Sequence, residues 1–237
     1  MEGALGLRTD PLSGPGPVTP ELSYHGPPST GRAVLVLPGY GDTSAVITRR
    51  LHLIDPDERW TVAVAEPAWP GPAGPMWYTV DTDGPDPEGV TRAVSAVDRA
   101  LDDVAGRCGV SREEVVLVGY SQGGATALAT ALDPRLGPPP AAVALLAGYL
   151  VHRDDDELDL SRAHGRPVLV AHGRDDDMVD PLRGRAAAKA LHRRGAVTSW
   201  QEVAGSHRLG PALLAPLAAW LDALADGRVP HQPPPGV

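Results

Sequence analysis

Short apolar runs, each followed by a turn rich in glycine or acidic residues, recur along this chain. Ala33-Val34-Leu35-Val36-Leu37, Val115-Val116-Leu117-Val118, Ala142-Val143-Ala144-Leu145-Leu146 and Pro167-Val168-Leu169-Val170-Ala171 are apolar at successive positions. Strands of that kind are covered on both faces, as in parallel sheets. Thr61–Ala65 reads as a similar but weaker strand, and Thr198–Val203 as the last candidate. Between these runs the period changes. Val90, Val94, Val97, Leu101 and Val104 recur at helical spacing within Glu88–Arg107 and define one buried stripe. A second helix, rich in small residues, covers Ala125–Leu132 and ends at Asp133-Pro134, because a residue before proline avoids the α region. A third spans about Pro181–Arg194. A fourth buries Leu213, Leu214, Leu217, Trp220, Leu221 and Leu224, with Pro216 implying a kink or a later start.

Strands alternating with helices across nearly the whole chain predict an α/β architecture, a doubly wound and mostly parallel sheet with helices on both faces. Residues 21–227 read as a single domain, 1–20 as a flexible N-terminal arm, and 228–237 as a flexible Pro-rich tail. No internal repeat or dividing linker is visible. In such a sheet, ligands bind beyond the carboxyl ends of the strands.

Composition narrows the function classes. Hydrophobic residues make up 42% and charged residues 22% of 237, ordinary for a globular protein with a sizeable core. A net charge of −9 argues against nucleic-acid binding, which needs a basic face. The single cysteine, Cys108, excludes an intrachain disulfide and a cysteine-based metal site. Residues 1–20 lack the basic start and apolar core of a signal peptide, and no apolar run is long enough to cross a bilayer. The expectation is a cytoplasmic protein without stable membrane insertion.

The chemically suggestive residues all follow predicted strands. Gly119-Tyr120-Ser121-Gln122-Gly123-Gly124 comes directly after Val115–Val118 and carries the G-x-S-x-G spacing. Glycines two before and two after the serine allow a sharp strand-to-helix turn that leaves Ser121 protruding, faced by the free N–H groups of the new helix. Pro38-Gly39-Tyr40-Gly41-Asp42-Thr43 follows the first long strand. The N–H groups of Tyr40 and Gln122 are candidate oxyanion donors. His172-Gly173-Arg174-Asp175-Asp176-Asp177-Met178-Val179-Asp180 follows the 167–171 run and offers four carboxylates, any of which can orient a histidine. A metal cluster with His172 and His164 matches no familiar ligand spacing. Gly205-Ser206-His207-Arg208 lies just before the last helix.

Serine, then acid, then histidine is the chain order of the α/β-hydrolase arrangement. From Ala33 to Leu224 the chain resembles that fold and, more narrowly, the phospholipase/carboxylesterase family, which includes acyl-protein thioesterases and small bacterial carboxylesterases. Gly119–Gly124 is similar to that family's G-F-S-Q-G-G elbow. Leu37-Pro38-Gly39-Tyr40-Gly41-Asp42-Thr43 resembles its L-H-G-x-G-D loop, with Pro38 in place of His, and the resemblance supports Tyr40 as an oxyanion donor. His172–Val179 resembles H-G-x-x-D-P-x-V, which selects Asp176 as the acid; Asp177 stands where proline is usual, so Asp175 and Asp177 stay open. Gly205-Ser206-His207 matches G-x-H, Ala147-Gly148-Tyr149-Leu150 is similar to S-G-W/Y-L, and Pro75-Met76-Trp77-Tyr78 to a Trp-containing loop along the substrate groove.

The resemblance implies a serine esterase or thioesterase acting on small-molecule acyl substrates through Ser121, His207 and Asp176, with no metal or organic cofactor. Met76, Trp77, Tyr78 and Tyr149 are the expected wall residues, with Trp69 better read as loop packing. The 147–166 connection is too short for a large cap domain, which predicts an open groove for short or medium acyl chains. Asp154-Asp155-Asp156-Glu157 within it reads as a solvated loop. A peptidase or lactone hydrolase would use the same triad. A non-catalytic binding protein on this scaffold, or a flavodoxin-like domain with an accidental G-x-S-x-G, are the competing classes.

Overall fold

A computed structural model of the chain describes residues 18–27, 31–151 and 159–236. The expected acidic loop at 154–157 and all but the last three residues of the expected arm lie outside them. In chain order the strands are β1 (Leu22–His25), β2 (Ala33–Leu37), β3 (Thr61–Ala65), β4 (Trp69–Gly71), β5 (Gly74–Met76), β6 (Val80–Asp81), β7 (Gly84–Pro85), β8 (Val115–Tyr120), β9 (Ala142–Leu146), β10 (Pro167–Gly173) and β11 (Val197–Val203). The helices are α1 (Ser44–Thr48), α2 (Leu51–Ile54), α3 (Pro87–Cys108), α4 (Gln122–Leu132), α5 (Pro181–Arg193) and α6 (Pro211–Ala225).

Seven strands form one sheet in the order β1-β3-β2-β8-β9-β10-β11. Only β1 runs antiparallel, against β3; the other neighbours are parallel. The two-residue period of the strands divides the core into two layers. Leu35, Ala63, Leu117, Leu145 and Val170 face α3, α4 and α5. Val34, Val36, Val118, Ala144 and Leu169 face α1, α2 and α6. This is the doubly wound, mostly parallel sheet that the apolar runs predict.

Local signals set the helix ends. Asp86 caps α3 by accepting from the Glu88 and Gly89 amides, Pro87 opens the helix, and Gly109 closes it in the left-handed region at φ 66°. Asp180 caps α5 through the Leu182 amide. Helix α6 begins at Pro211, so Pro216 does not delay its start. Proline there removes only the N–H that would reach Ala212, an exposed residue.

Two features depart from expectation. Strand β1 and the hairpins β4–β5 and β6–β7 were not foreseen: all are short, and the hairpins are rich in proline and glycine. The second concerns the expected loose tail, which is held over residues 230–232. Gln232 O accepts from Trp200 N at 2.7 Å and Gln232 N donates to Thr198 O at 3.0 Å. Ser199 Oγ donates to Pro230 O at 2.7 Å. The tail thereby blunts the open edge of β11. Deleting residues 230–237 removes these bonds, at about 1 kcal/mol net each. The Tm should drop by about 6–12 °C, readable by calorimetry.

Candidate active site

The serine sits on a tight crossing of backbones. Strand β8 enters, Ser121 takes φ 53° and ψ −120°, and α4 leaves. A non-glycine residue at positive φ is strained by about 1–3 kcal/mol and persists only where its surroundings hold it. Here the Ser121 amide donates to Leu146 O at 2.8 Å, and Ser121 O accepts from Ala125 N at 3.0 Å. The flanking glycines are required by contact. A Cβ on Gly119 would lie 2.2 Å from Gly123 O, and one on Gly123 would lie 2.2 Å from Pro38 O and 2.5 Å from Leu37 O.

The acid and the histidine meet because β10 and β11 are parallel neighbours whose following loops stay paired. Gly173 aligns with Val203, Arg174 N donates to Val203 O at 2.8 Å, and Asp175 N to Gly205 O at 3.0 Å. His207 Nδ1 then lies 2.7 Å from Asp176 Oδ2, and His207 Nε2 lies 2.9 Å from Ser121 Oγ. With Asp176 ionised, Nδ1 carries the proton and Nε2 accepts from the serine hydroxyl. Of the neighbouring carboxylates, Asp176 is buried and reaches His207, whereas Asp175 and Asp177 are exposed.

Burial alone would raise the Asp176 pKa. The Val179 amide, the His207 imidazole and the Met178 amide outweigh that and hold the carboxyl below its usual value. Those amides donate to Asp176 Oδ1 at 2.9 and 3.0 Å. Beside it, the Tyr120 ring stacks on His207 with centroids 5.2 Å apart. Burial pushes the Tyr120 phenol well up, helped by the Asp42 and Asp176 charges, so it stays neutral. Asp42 is half-buried, and its pKa is raised by desolvation against the pull of Arg50 and His207. Arg50 also ties the histidine loop down, donating from Nε to Leu209 O at 2.7 Å and from Nη1 to Val46 O at 2.7 Å.

A cleft of about 370 Å³ opens over Ser121 and His207. Tyr40 and Gln122 line it. Among the described residues neither of their amide N–H groups has a protein acceptor, while the next amide, Gly41 N, donates to Pro75 O at 2.8 Å. Met76 and Tyr149 also line the cleft. Trp77 and Tyr78 do not: both are 0% exposed, a correction to the expected groove wall. The Trp77 indole donates to Pro38 O at 2.8 Å, and the Tyr78 hydroxyl lies 3.0 Å from that of Tyr149. Gln122 holds this segment, accepting from Trp77 N at 2.9 Å and donating to Tyr78 O at 2.7 Å through its side chain. Trp69 packs against the core. The rest of the wall, Pro72, Thr79, Val80, Met178 and Val179, was missed. These residues come from turns and the two-residue strand β6, without periodicity, although Met178 follows the acid closely enough to have been suspected.

No helix among the described residues is long and apolar enough to cross a membrane. Nor do they contain a group of three or more His, Cys, Asp or Glu side chains able to hold a metal ion.

A parallel sheet carrying a serine elbow after one strand, with an acid and a histidine after the two last, defines an α/β hydrolase. The family model for phospholipases and carboxylesterases matches residues 28–224, and the chain belongs to that family of hydrolases. Solved structures of similar fold include esterase PE8, at 24% identity and TM-score 0.74 over 86% of this chain and 99% of that one. The Bacillus cereus carboxylesterase is 18% identical with TM-score 0.74, over 86% and 93% of the two chains. The Zea mays acyl-protein thioesterase 2 is 20% identical with TM-score 0.67, over 87% and 99%.

Two tests follow from the packing and charge of the site. Gly123→Ala should destabilise by about 1–3 kcal/mol in urea unfolding, because backbone must move. Gly106→Ala in α3, where nothing lies within 4 Å of an added Cβ, should stabilise by about 0.5–1 kcal/mol. Because the folded Asp176 pKa is depressed, its ionised form stabilises above the unfolded value of about 3.9, and this is lost as pH falls through the lower folded value. The Tm gap between the wild type and Asp176→Asn should therefore shrink as the pH falls from about 5 through the unfolded value and below it.

Proposed function

We propose that the chain hydrolyses carboxylic esters or thioesters of short to medium acyl chains in two steps, through an acyl-enzyme on Ser121. The observation that carries this reading is the continuous hydrogen-bonded run from Ser121 Oγ through His207 to the buried Asp176 carboxylate. His207 Nε2 takes the serine proton as Oγ attacks the acyl carbon. Asp176 holds the imidazole in the required tautomer and balances the charge that forms on it. The tetrahedral oxyanion is met by the unpaired amides of Tyr40 and Gln122, the latter in the first turn of α4 where the helix dipole is positive. His207 then protonates the leaving alcohol or thiol, and as a base it activates the water that releases the acid.

The cleft lining supports an apolar acyl group. Met76, Pro72, Val80, Met178, Val179 and Tyr149 line the same cleft as Ser121. Val80 and Met178 are 57% and 74% exposed, so apolar surface continues to the rim.

Ser121→Ala should lower turnover of p-nitrophenyl acetate and butyrate by about 10⁴-fold or more, and abolish labelling by a fluorophosphonate. Retained turnover would remove the proposed nucleophile. A panel of acyl thioesters, lactones and peptides, run with the wild type, separates esterase from thioesterase, lactonase and peptidase action.

A further inference from the structure

His172 is fully buried, at 0% exposure, and the scheme above gives it no part. It stands at the end of β10, four residues before Asp176. Its Nε2 lies 2.9 Å from Val179 O and 3.1 Å from Asp176 Oδ2. Both neighbours are acceptors, so Nε2 carries the ring proton and shares it between them. Its Nδ1 is buried and has no hydrogen-bond partner among the described residues. Helix α5 presses on that side: a Cβ at Gly184 would lie 2.3 Å from Nδ1. Glycine inside a helix destabilises by about 0.5–1 kcal/mol relative to alanine. Here it admits the imidazole.

The carboxylate of Asp176 is thus met on every side. Oδ1 accepts from the Met178 and Val179 amides, and Oδ2 faces both His207 Nδ1 and His172 Nε2. Val179 is bound twice, its N–H by Asp176 and its C=O by His172. Resting on the reading of Ser121, His207 and Asp176 given above, we propose that His172 is a positioning residue. Its one N–H locks the 176–179 turn and fixes the Asp176 carboxylate in the plane from which it orients His207. A carboxylate that loses this donor tilts, and directs more unshared charge at the imidazolium.

The test compares His172→Leu, which removes the donor, with His172→Gln, whose amide presents an N–H at similar reach. With a p-nitrophenyl ester, His172→Leu should lower kcat by about 10-fold, the scale on which outer partners of an oriented side chain act. KM should change less than kcat, since His172 reaches the cleft only through the turn that carries Met178 and Val179. The acid limb of kcat/KM should move to higher pH, and the low-field NMR resonance of the His207 Nδ1 proton should shift. His172→Gln should restore most of each. The other groups facing His207, namely Asp42, Arg50 and Tyr120, are unchanged in these variants.

A folded His172→Leu with a wild-type acid limb and an unmoved resonance would overturn the proposal. If His172→Leu does not fold, Gly184→Ala decides, because its methyl displaces the imidazole from the α5 side without touching Asp176. The same limb shift supports the role, and an unchanged limb overturns it. Ser121→Ala, run in parallel, keeps the two readings apart. Activity retained there sinks the site itself, whereas an inactive Ser121→Ala beside wild-type-like His172 and Gly184 variants sinks only the part given to His172.

Discussion

The geometry at the mouth of the sheet depends on how closely the first turn of α4 lies against the ends of β2 and β8. Three backbones meet there with no room for a side-chain carbon, as the 2.2 Å approaches from Gly119 and Gly123 indicate. That contact presents Ser121 at positive φ and sets the Gln122 amide beside it. It also fixes the distance to the Pro38–Gly41 turn that carries the Tyr40 amide. The Ser121 hydroxyl and the Gln122 and Tyr40 amides, on two separate segments, are held in register by this packing together with the bonds from Ser121 N to Leu146 O and from Gly41 N to Pro75 O.

A second constraint acts across β10 and β11. Burying a carboxylate without partners costs several kcal/mol, and most proteins neutralise it instead. Asp176 remains ionised because the turn that follows it supplies two amides and the neighbouring loop supplies an imidazole. Backbone bonds between the two loops hold that imidazole within reach before any substrate arrives. Electrostatics and chain topology therefore support each other: the parallel register delivers the partners that make burial of the charge tolerable.

Residue 122 joins the serine elbow to the buried Trp77–Tyr78 segment. Gln122 lines the cleft while its side chain clamps the Trp77–Tyr78 backbone, so the aromatic segment is a buried strut beneath the cleft. Reading Trp77 and Tyr78 as wall residues followed from the resemblance of Pro75–Tyr78 to a Trp-containing loop along the substrate groove. Burial, though, depends on what packs over a loop, and no periodicity in residues 69–85 reveals it. The same holds for Val80, in the two-residue strand β6, and Met178, in a turn, which border the cleft with no repeating pattern.

The linear order of residues determined the sheet strands apart from β1, the long helices, the succession of serine, acid and histidine, and the glycines of the elbow. These are local matters of two- and 3.6-residue periods, of capping side chains and of backbone sterics, all encoded within a few neighbouring positions. Which of three adjacent aspartates turns inward, which aromatics are swallowed by the core, and how the Pro-rich end lies along β11 were decided only by tertiary structure. Each depends on contacts between segments remote in the chain, where burial and hydrogen bonding are set by what arrives from elsewhere. Asp176 faces His207 because two loops 31 positions apart are zipped together, and no stretch of sequence read alone contains that distance.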